Sequence, residues 1–382
     1  FIVGANFHVL LAIVSLMMSR EILQKLSRVV GNALALYPQR PLINALFYSG
    51  HTWSVAETPS RKDGWEWVTR DRPEQWLPAL IAEGTGEPVR HAGMTRWHQT
   101  GLADELVMDV RAETLSGEVR TFLFKLFTPR RAVWAASEVT LLGGDSAHRL
   151  PAPDLLASGR MEGFDWLLYA PLEGKPVVGA EKARVMAQMR AACLAYAPPK
   201  ELAVRYARSH QLLGKRLLAA RVERLKAVCA PQHAASLHRF AEGLGALSAF
   251  VSALPVAVHN PDLIGDPCVI GAGGEPVLAH WFRWTLEPVG GGWPANAKDL
   301  AALNTALDAA KASRPELASV TPDAARLSAQ LFAFDKFLVA QRYHSAIAML
   351  PDILKSAERA GAIEAPQPAP LVAPVALAAP AE

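Results

Sequence analysis

Two apolar runs separated by a tight turn stand out in the first half of the chain. Leu106-Val107-Met108-Asp109-Val110 and Val119-Arg120-Thr121-Phe122-Leu123-Phe124-Lys125-Leu126-Phe127 are rich in β-formers, and Leu115-Ser116-Gly117-Glu118 between them supplies turn residues. This pattern predicts a β-hairpin. Helical spacing follows around Arg131–Leu142. A further strand is expected at Trp166-Leu167-Leu168-Tyr169, before the turn Glu173-Gly174-Lys175-Pro176. From Glu181 to Ala253 the pattern is one of long apolar helices, with more near Lys298–Ala312 and across Pro322–Ala360. Between Ser49 and Glu87, four tryptophans (Trp53, Trp65, Trp67, Trp76) are interrupted by Pro59, Pro73 and Pro78, which reads as irregular structure. Ala365–Glu382 is rich in Ala and Pro and reads as a flexible tail. The expected fold class is α+β and bilobal, a small antiparallel-sheet lobe followed by a larger, mainly helical one. The expected boundaries are 1–48 for a helical extension, 49–88 for the irregular segment, 89–178 for the sheet lobe, 179–364 for the helical lobe and 365–382 for the tail.

Residues 1–18 are apolar apart from Asn6, His8 and Ser15, a run just long enough to cross a bilayer. Arg20, Lys25 and Arg28 follow the run, where a secretory signal would carry its cations ahead of it. A membrane anchor, a presequence-like start near Met17 or Met18, and a plain packing helix all fit this pattern. The charge order favours an internal compartment, with a mitochondrial or inner-membrane site among the options.

Composition narrows the function. Hydrophobic residues make up 51% of the 382 and charged ones 20%, as in a globular protein with a sizeable core. The net charge is +3 and the basic residues are scattered, so no nucleic-acid partner is expected. Cys193, Cys229 and Cys268 are far apart and form no CxxC pair, which argues against a zinc site or a disulfide framework.

The candidate chemistry lies in four places. Gly101, in Thr100-Gly101-Leu102-Ala103-Asp104-Glu105, is where backbone N–H groups would approach a phosphate closely. Lys125 is a charge within an apolar strand, and Glu138 follows on the next helix, the pairing by which a Lys holds nucleotide phosphates while a Glu fixes its rotamer. Asp262, in Val258-His259-Asn260-Pro261-Asp262-Leu263-Ile264-Gly265-Asp266-Pro267-Cys268, stands where a loop Asp orients a substrate hydroxyl. Five positions later, where an Asn would hold Mg2+, the residue is Pro267, which offers no side-chain oxygen. In Val277-Leu278-Ala279-His280-Trp281, the place of a second metal-binding acid is taken by His280, a poor ligand for a hard cation.

Over roughly residues 89–355 the order of these parts resembles the choline/ethanolamine kinase family, within the wider aminoglycoside phosphotransferase-like group. Gly101-Leu102-Ala103-Asp104 is similar to the family's Gly-Leu-Thr-Asn turn, and Leu172-Glu173-Gly174-Lys175-Pro176 to its Leu-Glu-Gly-Arg-Pro hinge. His259-Asn260-(Pro261)-Asp262-Leu263 is similar to its His-Asn-Asp-Leu with one residue inserted, and Glu287-Pro288-Val289-Gly290 to its Asn-Pro-x-Gly. Phe334, Phe337, Gln341 and Ser345 sit where the family has Trp, Trp, Gln and Ser in the helix lining its amine pocket. The resemblance implies Asp262 as a catalytic base, here vestigial or weak, Phe334 and Phe337 as a substrate pocket, and Lys125, Glu138 and Gly101 as the nucleotide site. The departures fall on the chemistry: Pro267 and His280 replace both metal ligands, Phe282 replaces an acid near the substrate, and Asp266 alone is placed to substitute as a ligand.

These departures lead to the expectation of a degenerate kinase-like protein, a pseudokinase without a cofactor. It would serve as a binding or structural subunit, with protein partners in a larger assembly and a possible membrane contact through 1–18. The alternatives are an active small-alcohol phosphotransferase using ATP and Mg2+, with Asp262 as base, and a purely structural helical protein lacking the sheet lobe.

Overall fold

The structure is a computed structural model, and it describes residues 14–30, 73–98, 100, 102, 104–263, 268–271 and 273–364. The chain divides into two units, Phe1–Asp63 and Gly64–Glu382. In the first, the described part is a single helix over 14–30 with every residue exposed. No helix among the described residues is long and apolar enough to cross a membrane. Residues 1–13 of the apolar run, the stretch 49–72 and the tail 365–382 lie outside the described residues.

The hairpin expected from the sequence is the centre of a five-stranded antiparallel sheet in the second unit. Its strands are β1 (Val89–His98), β2 (Glu105–Thr114), β3 (Val119–Phe127), β4 (Leu155–Met161) and β5 (Phe164–Tyr169), in the order β1-β2-β3-β5-β4. Side chains alternate across a strand, so β3 splits its residues between two faces. Phe122, Phe124 and Leu126 pack with Met108, Val110, Trp166 and Leu168 on one side, while Leu123 and Phe127 pack with Val107, Leu167 and Tyr169 on the other. Both sides are covered, which is why these strands read as nearly continuous apolar runs.

The cover on the first side is α1 (Pro73–Thr85), in the stretch expected to be irregular. Pro73 sits at the start of the helix, where a missing N–H costs nothing. Leu77, Leu80 and Ile81 recur at helical spacing and are buried against the sheet, with the Trp76 ring 5.6 Å from that of Phe124. Packing of that face outweighs the one backbone hydrogen bond that Pro78 removes. The sheet lobe therefore begins before residue 89. Edge strand β4 also lacked a sequence signal. Its Gly159 lies under the Trp166 indole, where an added Cβ would sit 2.5 Å from the ring, so the position marks a close approach rather than a turn.

The second side of the sheet is covered by α2 (Ala132–Leu142) and by the helical lobe. That lobe comprises α3 (Glu181–Ala195), α4 (Lys200–Ser209), α5 (Leu213–Arg216), α6 (Ala219–Lys226), α7 (Ala234–Ala253), α8 (Ala297–Lys311), α9 (Pro322–Val339), α10 (Tyr343–Ala348) and α11 (Leu350–Arg359). The helical run expected over Pro322–Ala360 is broken after Val339, where Gln341 takes a positive φ of 57° and the chain turns. Between α7 and α8 lie the short strands β7 (Val256–His259), β8 (Cys268–Ile270), β9 (Pro276–Leu278) and β10 (Thr285–Pro288). β7 pairs with β10, while β8 lies between β9 and the two-residue β6 (Lys175–Pro176). Buried Arg314 ties this region down, donating to the Leu194 carbonyl at 2.8 Å and to the Val256 carbonyl at 2.9 Å.

The α+β, sheet-then-helix class is as expected, and the all-helical alternative is excluded by a five-stranded sheet with Lys125 in its central strand. One apolar cluster runs through both lobes, joining Val107, Leu123 and Phe127 to Cys193, Tyr206, Val258 and Trp281.

Candidate functional site at the junction of the lobes

Lys125 shares the β3 face of Leu123 and Phe127, so the strand aims its ammonium at α2 and the helical lobe. There the side chains of Lys125 and Glu138 are both 0% exposed, and Lys125 Nζ donates to Glu138 Oε1 at 2.5 Å. The ammonium also donates to the backbone carbonyl of Ala279 and lies 5.0 Å from the centre of the Tyr169 ring. Glu138 Oε1 in turn accepts from the Trp281 N–H at 3.2 Å. A Lys in an open phosphate site would keep donors free for a ligand, whereas this one is closed in by a carboxylate, a carbonyl and an aromatic face. Burial raises the pKa of Glu138 above the usual carboxylate range, with Lys125 opposing the effect and the Glu105 charge adding to it. Burial, with Glu138 and Glu105 nearby, also pushes the Tyr169 phenol well up.

His280 and Glu105 extend this network. Both are buried, and His280 Nδ1 lies 3.3 Å from Glu105 Oε1. The imidazole thus stands against an acid from the start of β2, and it meets the Phe282 ring edge-on. Phe282 is stacked on Trp134 of α2 at 4.4 Å, so its side chain is part of an aromatic core. Mg2+ prefers oxygen ligands in octahedral array, and these residues do not fit it. Among the described residues no group of three or more His, Cys, Asp or Glu is arranged to hold a metal ion.

The loop after β7 is held from inside. Buried Asn260 donates from Nδ2 to the His280 carbonyl at 2.8 Å and accepts the Asp262 N–H at 2.9 Å. Asp262 presents its carboxylate to Arg283: Nε donates to Oδ2 at 2.7 Å, and Nη2 to Oδ1. One guanidinium engages both oxygens, and it would have to shift before the carboxylate could face a substrate hydroxyl unopposed. Behind the loop, burial lowers the His259 pKa to about 4, with Lys336, Arg190 and Arg216 adding to the effect, so the ring is neutral near pH 7. Glu287, on β10 opposite β7, is buried and accepts from Arg216 at 3.0 Å, while Arg216 also donates to Asp335 at 2.8 Å.

The structure therefore brings Lys125, Glu138, His280 and Asp262 to one junction between the lobes. Gly101, Asp266 and Pro267 lie outside the described residues; the neighbouring Asp104 side chain accepts from Thr128 and Arg131, both at 3.2 Å. Phe334 is fully buried, its ring 4.8 Å from Phe240 in the helical core, and Phe337 packs against the same core under the Arg342 guanidinium. Sequence reasoning missed Glu105, Arg283 and the joining of Glu287 to Asp335 through Arg216. Glu105 had a usable signal, since its even spacing from Val107 puts it on the Lys125 face of the sheet.

Comparison with known proteins gives a limited picture. No family model matches the chain, and no curated protein does. Among solved structures, the chain is similar to a macrolide 2'-phosphotransferase from Brachybacterium faecium, with 16% identity and a TM-score of 0.41, over 78% of this chain and 99% of that one. It is also similar to a thermostable mutant of aminoglycoside phosphotransferase APH(4)-Ia bound to AMP-PNP and hygromycin B (13% identity, TM-score 0.36, 74% and 98% covered). A third is an aminoglycoside phosphotransferase from Streptomyces rimosus bound to ADP and streptomycin (16% identity, TM-score 0.33, 72% and 97% covered). Likeness of this size leaves the reading of the site to its own geometry.

Proposed function

We propose that this chain is a pseudokinase: a degenerate choline/ethanolamine-kinase-like protein that has kept the two-lobed scaffold and serves as a binding or structural subunit in a larger assembly. The observation that carries this reading is the closure of Lys125, whose ammonium is fully buried among Glu138, the Ala279 carbonyl and Tyr169. A nucleotide phosphate would have to displace a backbone carbonyl and open a core shared by both lobes. The engagement of both Asp262 oxygens by Arg283, and an imidazole at position 280, support the same reading.

Calorimetric titration of the whole chain with ATP, with and without Mg2+, tests the proposal. The whole chain is needed because a truncation at residue 89 would strip α1 from the sheet. The expected result is no binding heat in either condition and no rise in unfolding temperature at millimolar nucleotide. Micromolar binding strengthened by Mg2+ would overturn the reading and restore a small-alcohol phosphotransferase with Asp262 as base.

A further inference from the structure

The helix over 14–30 has two unlike sides. At about 100° per residue, Met18, Ile22, Leu23, Leu26, Val29 and Val30 share an arc of roughly 160° with Leu16 at its edge. All of these side chains are exposed. Ser15 and Ser19 are the polar residues within the arc. The opposite arc holds Arg20, Gln24, Ser27, Arg28, Glu21 and Lys25, with Met17 and Val14 among them. On the same wheel Lys25 borders the apolar arc on one side, and Arg20 lies next beyond Ser27 on the other. Glu21 offsets part of the charge through an exposed contact with Lys25 at 2.8 Å.

From this arrangement we propose that the helix lies along the surface of an anionic phospholipid bilayer, its apolar arc in the acyl boundary and Arg20, Lys25 and Arg28 among the headgroups. A bilayer surface gives such a helix an apolar floor with negative charge at the level of its polar rim. Cations near both edges of an apolar arc suit that setting, because their stems lie along the apolar surface while the charges reach up to phosphate. A second copy of the helix is the weaker occupant. Pairing the two apolar arcs would bring basic rims together, with one acid per helix to relieve the repulsion. Spanning is a different matter, since the helix carries four charged residues in seventeen.

Co-sedimentation of the full chain with vesicles tests this. Binding to mixed phosphatidylcholine/phosphatidylserine vesicles should exceed binding to pure phosphatidylcholine by about tenfold or more, and added salt should weaken it. The variant Ile22→Glu with Leu26→Glu should abolish it, and Arg20→Glu with Arg28→Glu should remove the preference for anionic lipid; all four positions are exposed, so folding is not at stake. Absence of wild-type binding, equal binding to neutral vesicles, or unchanged binding by both variants would each overturn the proposal. So would a concentration-dependent rise in mass that Ile22→Glu eliminates, which would assign the face to a second copy. None of these results depends on whether the chain binds nucleotide.

Discussion

The two ends of the interlobe junction are closed by different means. At the Lys125 end, both partners of the ion pair have no exposure, and the ammonium is further held by a backbone carbonyl and an aromatic ring. At the Asp262 end, the carboxylate is 11% exposed and its partner Arg283 is 56% exposed. A fully buried pair is expensive to break because the survivor keeps an uncompensated charge away from water, whereas a pair with one partner in solvent is partly screened and contributes less. The first closure is therefore part of the core. The second is a contact that can open at small cost.

The most severe way to test this contrast is to remove half of the buried pair. Lys125→Met leaves Glu138 charged or forces it to take up a proton, and should destabilise the protein by about 3–5 kcal/mol, measured by denaturant unfolding. Combining it with Glu138→Leu should recover much of that loss. A cost for Lys125→Met no larger than that of a surface substitution would mean the site is open, and the comparison would fail.

His259, behind the Asp262 loop, provides a pH test. Its pKa falls from 6.5 in the unfolded chain to about 4 in the fold, so the unfolded state binds more protons in that window. Stability should decline as pH drops from about 6.5 to about 4, by at most roughly 3 kcal/mol from this group. The raised pKa values of Glu138 and Glu287 act in the opposite sense, favouring the protonated fold as pH falls. The contribution of His259 is therefore read as the difference between the wild type and His259→Gln, whose unfolding profile should lose the corresponding slope.

The smallest effect belongs to the exposed end. Arg283→Ala should change stability by less than about 1 kcal/mol while freeing both Asp262 oxygens. If it costs as much as Lys125→Met, the two closures are alike and the distinction drawn above is lost.

Much of the scaffold was legible in local pattern. The hairpin of β2 and β3, helix α2 and strand β5 followed from residue spacing, because alternation and helical period are properties of a few consecutive residues. Lys125 and Glu138 were legible as a pair for the same reason, one on an apolar strand and the other on the next helix. Helix α1 was hidden because proline signals were read without the sheet that its apolar face covers. The partners that close the site were hidden more completely. Ala279 is 154 residues from Lys125 and acts through its backbone, so its side chain carries no signal. Arg283 is 21 residues from Asp262 on an exposed turn, where an Arg is unremarkable.

The sequence by itself determined that a sheet precedes helices and that a Lys and a Glu lie on facing elements. Those are statements about residue type and short-range period, which chain stereochemistry converts directly into structure. Only the tertiary structure decided whether the Lys125 ammonium is presented to a ligand or consumed by the protein. That outcome depends on which distant groups arrive at its three donors, and on whether the shared core excludes water there, neither of which any local pattern encodes.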